Sequence, residues 1–429
     1  MVEWREEACD VAVIGGGPAG LAAATVLKRR GMARVVVLER EPEAGGIPRH
    51  CAHSPFGMRE FTRILTGPRY ARRLAATAIA AGVDVRVASD VVAIAAGGIA
   101  TVTAPEGIYR LAARRVVLAT GVREASRAAR LVSGSRPAGI CTTGALQAMV
   151  ALKTMLPFRR PLIVGSELVA FSGLLTSLMA GIRPVAMIEE AERATARFPC
   201  RLFPLLAGIP FHAATRLVRI EGERQVSAAV LAGADGAERR IACDGILFTG
   251  RFTPEASLAR AGGLKIDIAS GGPMVDQFGR CSDAAYFAAG NLLRPVETAG
   301  WSWREGVDIG GWVADDLEGR LPAPHNRICV HVASPAIKLA VPQTIQLPDD
   351  GGGMTYLQLR LNAPVSGRLI ARNGSGVVWQ RQLTSRPERR ILIPLRELTR
   401  GSSGGLVDLL IDDAHSPAYP KTHDQGGKR

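Results

Sequence analysis

The sequence has no C-x-x-C pair. Its seven cysteines, Cys9, Cys51, Cys141, Cys200, Cys243, Cys281 and Cys329, are dispersed and odd in number. That argues against a zinc ribbon, a cysteine-held iron–sulfur cluster and a disulfide framework, and it fits a reducing, cytoplasmic compartment. Lysine is confined to Lys28, Lys153, Lys265, Lys338, Lys421 and Lys428, and aromatic residues are only 5% of the chain, so the core must be aliphatic and alanine-rich. The net charge is nevertheless +14. The arginines that supply it are scattered, without a long basic run and without interleaved aromatics, which speaks against nucleic-acid binding and for a basic surface facing an acidic partner or substrate. The opening segment, MVEWREEACD, has no apolar stretch and shows no secretory signal. One long apolar run does occur, Leu162 to Ile182, preceded by Arg159 and Arg160. It carries Glu167 and the strand–turn–helix rhythm of a nucleotide-binding unit, and is read as soluble rather than as a membrane span.

What is present begins with "CDVAVIGGGPAG". Val11 to Ile14 predicts a buried strand, Leu21 to Arg30 a helix, and Arg34 to Leu38 a second strand ending at Glu39. Between the first strand and the helix, Gly15, Gly17 and Gly20 satisfy G-x-G-x-x-G. Gly15 permits a tight turn, Gly17 lets backbone approach a pyrophosphate, and Gly20 lets helix and strand pack closely. Pro18 and Ala19 then open a helix whose amino end favours an anion. Glu39, nineteen residues after Gly20 and followed by Arg40, is placed to accept ribose hydroxyls.

A second unit starts at "RRPLIVGSELVAFSG". Pro161 to Val164 predicts its strand, Leu168 to Ala180 its helix, and "PVAMIEE" the next strand, ending at Glu189 and Glu190. Only Gly165 of the glycine triplet remains. Ala170 is an acceptable substitute at the third position, but Glu167 puts a side chain and a negative charge where backbone should meet pyrophosphate. The fold of an NAD(P)-binding domain is thus expected with a compromised loop, and NAD(P) is left in doubt. Beyond residue 325, short alternating runs such as "YLQLRL", "GRLIAR" and "RRILIPL" predict an all-β appendage. The expected class is α/β, with two Rossmann-like FAD/NAD(P)-binding domains, the second inserted in the first, plus that β domain. The boundaries are 1–150 and 255–325 for the first domain, 151–254 for the insertion, 326–412 for the β domain and 413–429 for a disordered polar tail.

The glycine turn with Glu39, the "EAGG" that ends at Gly46, "VVLATG" with Ala119, Thr120 and Gly121, and "AAYFAAGN" with Gly290 and Asn291 together resemble the two-dinucleotide-binding-domain flavoproteins, the glutathione-reductase-like superfamily. The resemblance implies FAD on the first domain. It also implies that Thr298 and Ala299, with Gly300, open a helix facing the flavin pyrimidine ring. The superfamily has an aspartate where this chain has Asn291, an amide that still forms hydrogen bonds. A disulfide reductase of this kind needs two cysteines just after the double glycine, and "GGIPRHCAHSPFG" offers Cys51 alone, flanked by His50 and His53. The late His-Pro-Thr signature is missing too. Three ligands within four residues of one loop seldom complete a metal site, so no metal is expected. His50, Cys51 and His53 are the candidate catalytic group, lining the flavin pocket as hydrogen-bond donors or proton carriers.

"GGIPRHCAHSPFG", "SGSRPAGICTTGALQ" and "AAGNLLRPVETAGWSWREG" narrow the resemblance to the FAD-containing subunits of multi-subunit opine, hydroxyproline or proline dehydrogenases, hydrogen cyanide synthase and glycerol-3-phosphate-type dehydrogenases. This implies an FAD-dependent oxidoreductase acting as a subunit of a hetero-oligomer, with a small-molecule substrate oxidised by a partner subunit. A free-standing NAD(P)H-dependent FAD oxidoreductase and a non-catalytic FAD-fold scaffold remain open.

Overall fold

A computed structural model describes residues 5–413 except Arg197, Val296, Pro324, His325, Asp350, Ser375 and Glu388. The expected disordered tail lies outside the described residues. The chain divides into two compact units, the first running to Ala323 and including Val341–Gln343, the second made of the rest.

The first unit holds two α/β sheets. In one, Asp84–Arg86, Val35–Leu38, Arg5–Ile14 and Gly107–Leu118 lie side by side in parallel. The last of these strands also pairs in parallel with Tyr286–Ala288, and antiparallel with the Ile99–Ala104 hairpin arm. The strand Arg5–Ile14 reaches further toward the amino end than the apolar run Val11 to Ile14 foretold. Its charged first half is held by pairing with Tyr109 to Ala113 rather than by burial. The second sheet is wholly parallel, in the order Phe211–His212, Ala186–Ile188, Pro161–Val164, Gly245–Phe248, Ile140–Thr142. Val122–Glu124 and Phe252–Pro254 pair antiparallel where the chain leaves the first sheet and returns to it. One Rossmann-like sheet is thus inserted in the other, and its edge strand Ile140–Thr142 and the helix Thr143–Lys153 lie ahead of the boundary expected at 151.

The apolar run Leu162 to Ile182 breaks into the strand Pro161–Val164 and the helix Leu168–Met179. Among the described residues no helix is long and apolar enough to cross a membrane. The first helix spans Pro18–Arg29, one turn earlier than Leu21, because proline at the first helical position has no amide to waste and a φ already suited to the helix.

The core of the first sheet places the cavity described below. Val11, Val13, Leu21, Leu27, Val35, Tyr70, Leu74, Ile309 and Val313 are buried together. The helix Ala299–Leu317 lies against Pro18–Arg29 through missing side chains. A Cβ on Gly310 would stand 2.7 Å from the Ala23 carbonyl oxygen, and one on Gly306 would overlap the Ala19 backbone. Backbone-to-backbone packing of this kind brings the amino ends of both helices to one place.

The second unit is β-rich, with one short helix, Leu395–Thr399, that the expected all-β appendage did not include. Thr344–Leu347, Asn326–Val332, Gly405–Asp413, Val365–Asn373 and Gly376–Ser385 form one sheet, and Ile337–Val341, Tyr356–Leu361 and Ile391–Pro394 the other. Alternation along these strands buries Ile328, Leu357, Leu359, Leu369, Ile393 and Leu409 in a common core.

The helix contact gives a direct test. Gly306→Val should lower stability by about 2 kcal/mol or more, despite valine's better helix propensity, because the added carbons overlap backbone that has nowhere to move. Urea unfolding of the full chain measures it.

Candidate active site

The glycine turn leads from a strand buried at every position from Val11 to Ile14 straight into the helix Pro18–Arg29. Gly15 has φ +109°, a conformation L side chains rarely adopt, and a Cβ there would overlap the Ala119 carbonyl. A Cβ on Gly20 would strike the Gly15 carbonyl. Gly17 differs: the nearest atom to its absent Cβ is Gly46 Cα, 3.9 Å away, so its outer face is open. Among the described residues no side chain caps this helix, which leaves its first amides and the positive end of its dipole for an anion.

Glu39 closes the adjacent strand and is 7% exposed. Its two oxygens accept hydrogen bonds from the Gly16 amide at 2.8 Å and the Glu41 amide at 2.9 Å. Burial pushes its carboxyl pKa up, against the pull of those two amides. Each oxygen keeps lone-pair capacity for a hydroxyl.

Around this turn lies a cavity of about 460 Å³. Gly15, Gly17, Pro18, Ala19, Glu39, Arg40, Gly46, His50, Cys51, Ala119, Thr120, Gly121, Asn291 and Ala299 all line it. Gly20, Gly290, Thr298 and His53 do not. Gly20 is spent on helix–strand packing, and Gly290 gives room to the Ala19 methyl, 2.8 Å from where its own Cβ would stand. Thr298 precedes the helix Ala299–Leu317 as its cap residue. Asn291 accepts the Glu297 amide at 3.1 Å and donates to the Glu297 carbonyl at 3.2 Å, so it pins the loop ahead of that helix.

The three residues grouped by sequence separate. His50 faces the cavity, and both its ring nitrogens are buried without a hydrogen-bond partner among the described residues. Burial, helped by the positive charge of Arg49, lowers its pKa and favours the neutral imidazole. Cys51 is buried beside it, its thiol directed at Gln147 Oε1 at 3.5 Å. Burial pushes that thiol up to about 12, so it stays protonated. His53, expected in the pocket, instead turns away from it. Its Nε2 shares a hydrogen bond of 2.5 Å with Ser172 Oγ on the helix Leu168–Met179, and Gln147 Nε2 donates to the same hydroxyl at 2.8 Å. A polar partner on the inserted domain captures the ring, which spacing within the loop does not reveal. All seven cysteines are free.

Sequence reasoning missed Arg49. It is 7% exposed and lines the cavity. Its Nε and Nη1 lack a hydrogen-bond partner among the described residues, and its ion pair with the exposed Glu43 is stretched to 3.5 Å. The available signal was a cation three residues beyond the double glycine.

These residues fit a flavin dinucleotide. An open glycine, an uncapped helix end and an under-paired guanidinium suit a diphosphate; a buried acid suits a ribose; an unpartnered imidazole suits a polar ring. Glu39→Ala should weaken FAD binding by about 10- to 100-fold, since it also strands the Gly16 amide, as flavin fluorescence titration can measure. Cys51 should resist iodoacetamide at pH 8 in the native state and react after unfolding, as mass spectrometry can follow.

The comparisons with known proteins agree with this geometry. Residues 9–306 match the family profile described as pyridine nucleotide-disulphide oxidoreductase. A search of curated protein sequences gave no match. Among solved structures, thioredoxin reductase from T. acidophilum superposes with a TM-score of 0.61 at 20% identity, covering 72% of this chain and 99% of that one. A NAD-dependent persulfide reductase from A. fulgidus gives 0.56 at 19% identity, covering 85% and 68%. L-proline dehydrogenase from P. horikoshii gives 0.55 at 19% identity, covering 74% and 57%. These likenesses establish the fold, and the profile establishes the family. The chain belongs to the pyridine nucleotide-disulphide oxidoreductase family and is an FAD-dependent oxidoreductase.

Proposed function

We propose that this chain is the FAD-bearing electron-transfer subunit of a multi-subunit dehydrogenase acting on an amine or imino acid, such as an opine or hydroxyproline, or on a polyol phosphate. The observation that carries this reading is Cys51. A disulfide reductase passes electrons through a thiol pair beside the flavin, and here one buried, protonated thiol stands in that place, bonded to Gln147. Electrons entering the cavity must therefore leave by another route than a disulfide. A partner subunit is the simplest donor or acceptor, and the net charge of +14 favours docking of an acidic protein surface. The cytoplasm suits such a complex and the free cysteines.

Bound FAD supplies reversible electron acceptance and donation. The chain's own residues prepare the place for it. Glu39 accepts ribose hydroxyls, with Arg40 beside it on the cavity wall. Gly17, Pro18 and Ala19 leave the first helix end open to the diphosphate, with Gly46 opposite. Ala119, Thr120 and Gly121 form the wall beyond the strand ends. Ala299 and Ser302 bring the second helix end to the same cavity, where its positive dipole favours negative charge. His50, neutral at pH 7, can accept a proton at a ring nitrogen and hold it away from bulk water.

Two outcomes test the reading. Affinity purification of the full chain should bring down a second flavoprotein or dehydrogenase subunit, and substrate should reduce the FAD anaerobically with that partner present. Rapid turnover of proline, hydroxyproline, an opine or glycerol phosphate by the chain alone contradicts the subunit role. For His50, the reduction rate should fall as pH drops through a pKa below the ordinary histidine value of 6.5, because protonation removes the base. His50→Gln should abolish that limb of the pH profile.

A further inference from the structure

The inserted domain repeats the first nucleotide turn position by position. Gly165 has φ +118°, as Gly15 has +109°. Glu167 is the cap residue of its helix with extended backbone (φ −69°, ψ 169°), as Gly17 is (φ −81°, ψ −175°). Glu189 accepts from Ser166, through the side-chain hydroxyl, as Glu39 accepts from Gly16 through the amide. Val164 pairs with Phe248 as Ile14 pairs with Leu118, so Thr249 and Gly250 correspond to Ala119 and Thr120. The turn geometry of a dinucleotide site is fully built.

The filling differs. In the first domain Gly15, Gly17, Ala119 and Thr120 border open space. In the second the Glu167 carboxylate lies across the strand ends. Its Oε2 accepts from Thr249 Oγ1 at 3.0 Å and would stand 2.7 Å from a Cβ on Gly165. Its Oε1 would collide with a Cβ on Gly250. Two further groups fix the charge there. The Gly250 amide, which in an open site could face a phosphate, donates to Glu124 Oε1 at 3.1 Å. Arg130 donates to the Thr249 and Gly250 carbonyls at 2.7 and 2.9 Å. A dinucleotide would meet two carboxylates and a guanidinium already engaged with backbone.

We infer that Glu167 is a built-in plug: its carboxylate occupies the pyrophosphate position of the inserted domain, so this chain does not bind NAD(H) or NADP(H) there. A pyrophosphate would have to displace the side chain from Thr249 and then sit beside its charge, so both overlap and repulsion oppose binding. The NAD(P) group that the family's fold implies does not fit the residues present. The second domain is thereby retained as framework: its helix Leu168–Met179 supplies Ser172 to His53, and its helix Thr143–Lys153 supplies Gln147 to Cys51. The plug does not depend on the subunit assignment, since a free-standing flavoenzyme with another electron donor could carry it equally.

Titration calorimetry of the FAD-loaded full chain with NADH, NADPH and ADP-ribose tests the inference. ADP-ribose carries the pyrophosphate without the nicotinamide and gives a readout free of flavin chemistry. The wild type should show no binding tighter than about 1 mM, and Glu167→Gly should tighten ADP-ribose and at least one nicotinamide dinucleotide by about 100-fold or more. Glu167→Ala should give a similar gain if glycine weakens the turn. Glu167→Gln, which keeps the bulk and the hydrogen bond to Thr249 but removes the charge, should gain at least about fivefold less than Glu167→Gly. An unchanged flavin spectrum in each variant reports that the first domain is intact. Wild-type binding tighter than about 1 mM overturns the plug, as does failure of both small-residue variants to gain affinity. Equal gains in Gln and Gly variants also overturn it, because charge alone would then close the site. None of these results alters whether a partner subunit co-purifies, so the two readings fail separately.

Discussion

The architecture depends on two helices touching backbone to backbone. Pro18–Arg29 and Ala299–Leu317 come from opposite ends of the first unit, and Gly306 and Gly310 let them approach where any side chain would strike Ala19 or Ala23. That contact sets the amino ends of both helices on a single cavity, which Ala19 and Ala299 both line. The sheet beneath explains why the contact forms at all. Tyr286–Ala288 pairs with the carboxyl half of Gly107–Leu118, so the chain must return to the first sheet, one strand away from Arg5–Ile14, before the helix Ala299–Leu317 begins. Everything polar in the cavity is arranged on this frame.

The electrostatics of the site are asymmetric. One set of groups, two helix ends and the buried, under-paired Arg49, suits anionic groups. The other presents Glu39, whose charge is held by two backbone amides and whose free lone pairs suit hydroxyls. On the same cavity His50 is held neutral and Cys51 protonated by burial. The inserted domain shows the same turn with the opposite sign: a carboxylate sits in the space where the first domain leaves a helix end exposed. One fold thus carries an open and a filled version of the same loop, and the change from Gly17 to Glu167 is the one that puts a carboxylate there.

Much of this was legible in the chain because backbone constraints leave residue-level traces. A strand, a glycine triplet, a helix and an acid at fixed spacing can satisfy one geometry, and that geometry appears at Gly15 to Glu39. The alternating runs after residue 325 declared a β unit for the same reason. Contacts between distant segments were not legible. His53 turns to Ser172, 119 residues away, and Cys51 to Gln147, 96 residues away. Neither pairing leaves a local pattern. Arg49 escaped notice because a lone arginine reads as surface, and only the fold shows it buried. The charged start of Arg5–Ile14 was opaque too, since its strand is held by pairing with Gly107–Leu118 and not by apolar alternation.

The central claim is that the cavity between the two helix ends holds FAD, and its most direct measurement is the visible absorption spectrum of the purified full chain with quantified flavin released on denaturation. The account predicts a yellow protein carrying about one FAD per chain, with the nucleotide and not FMN recovered, because the glycine turn and Glu39 bind the diphosphate and adenosine half. A colourless chain that takes up no flavin from excess FAD would contradict it.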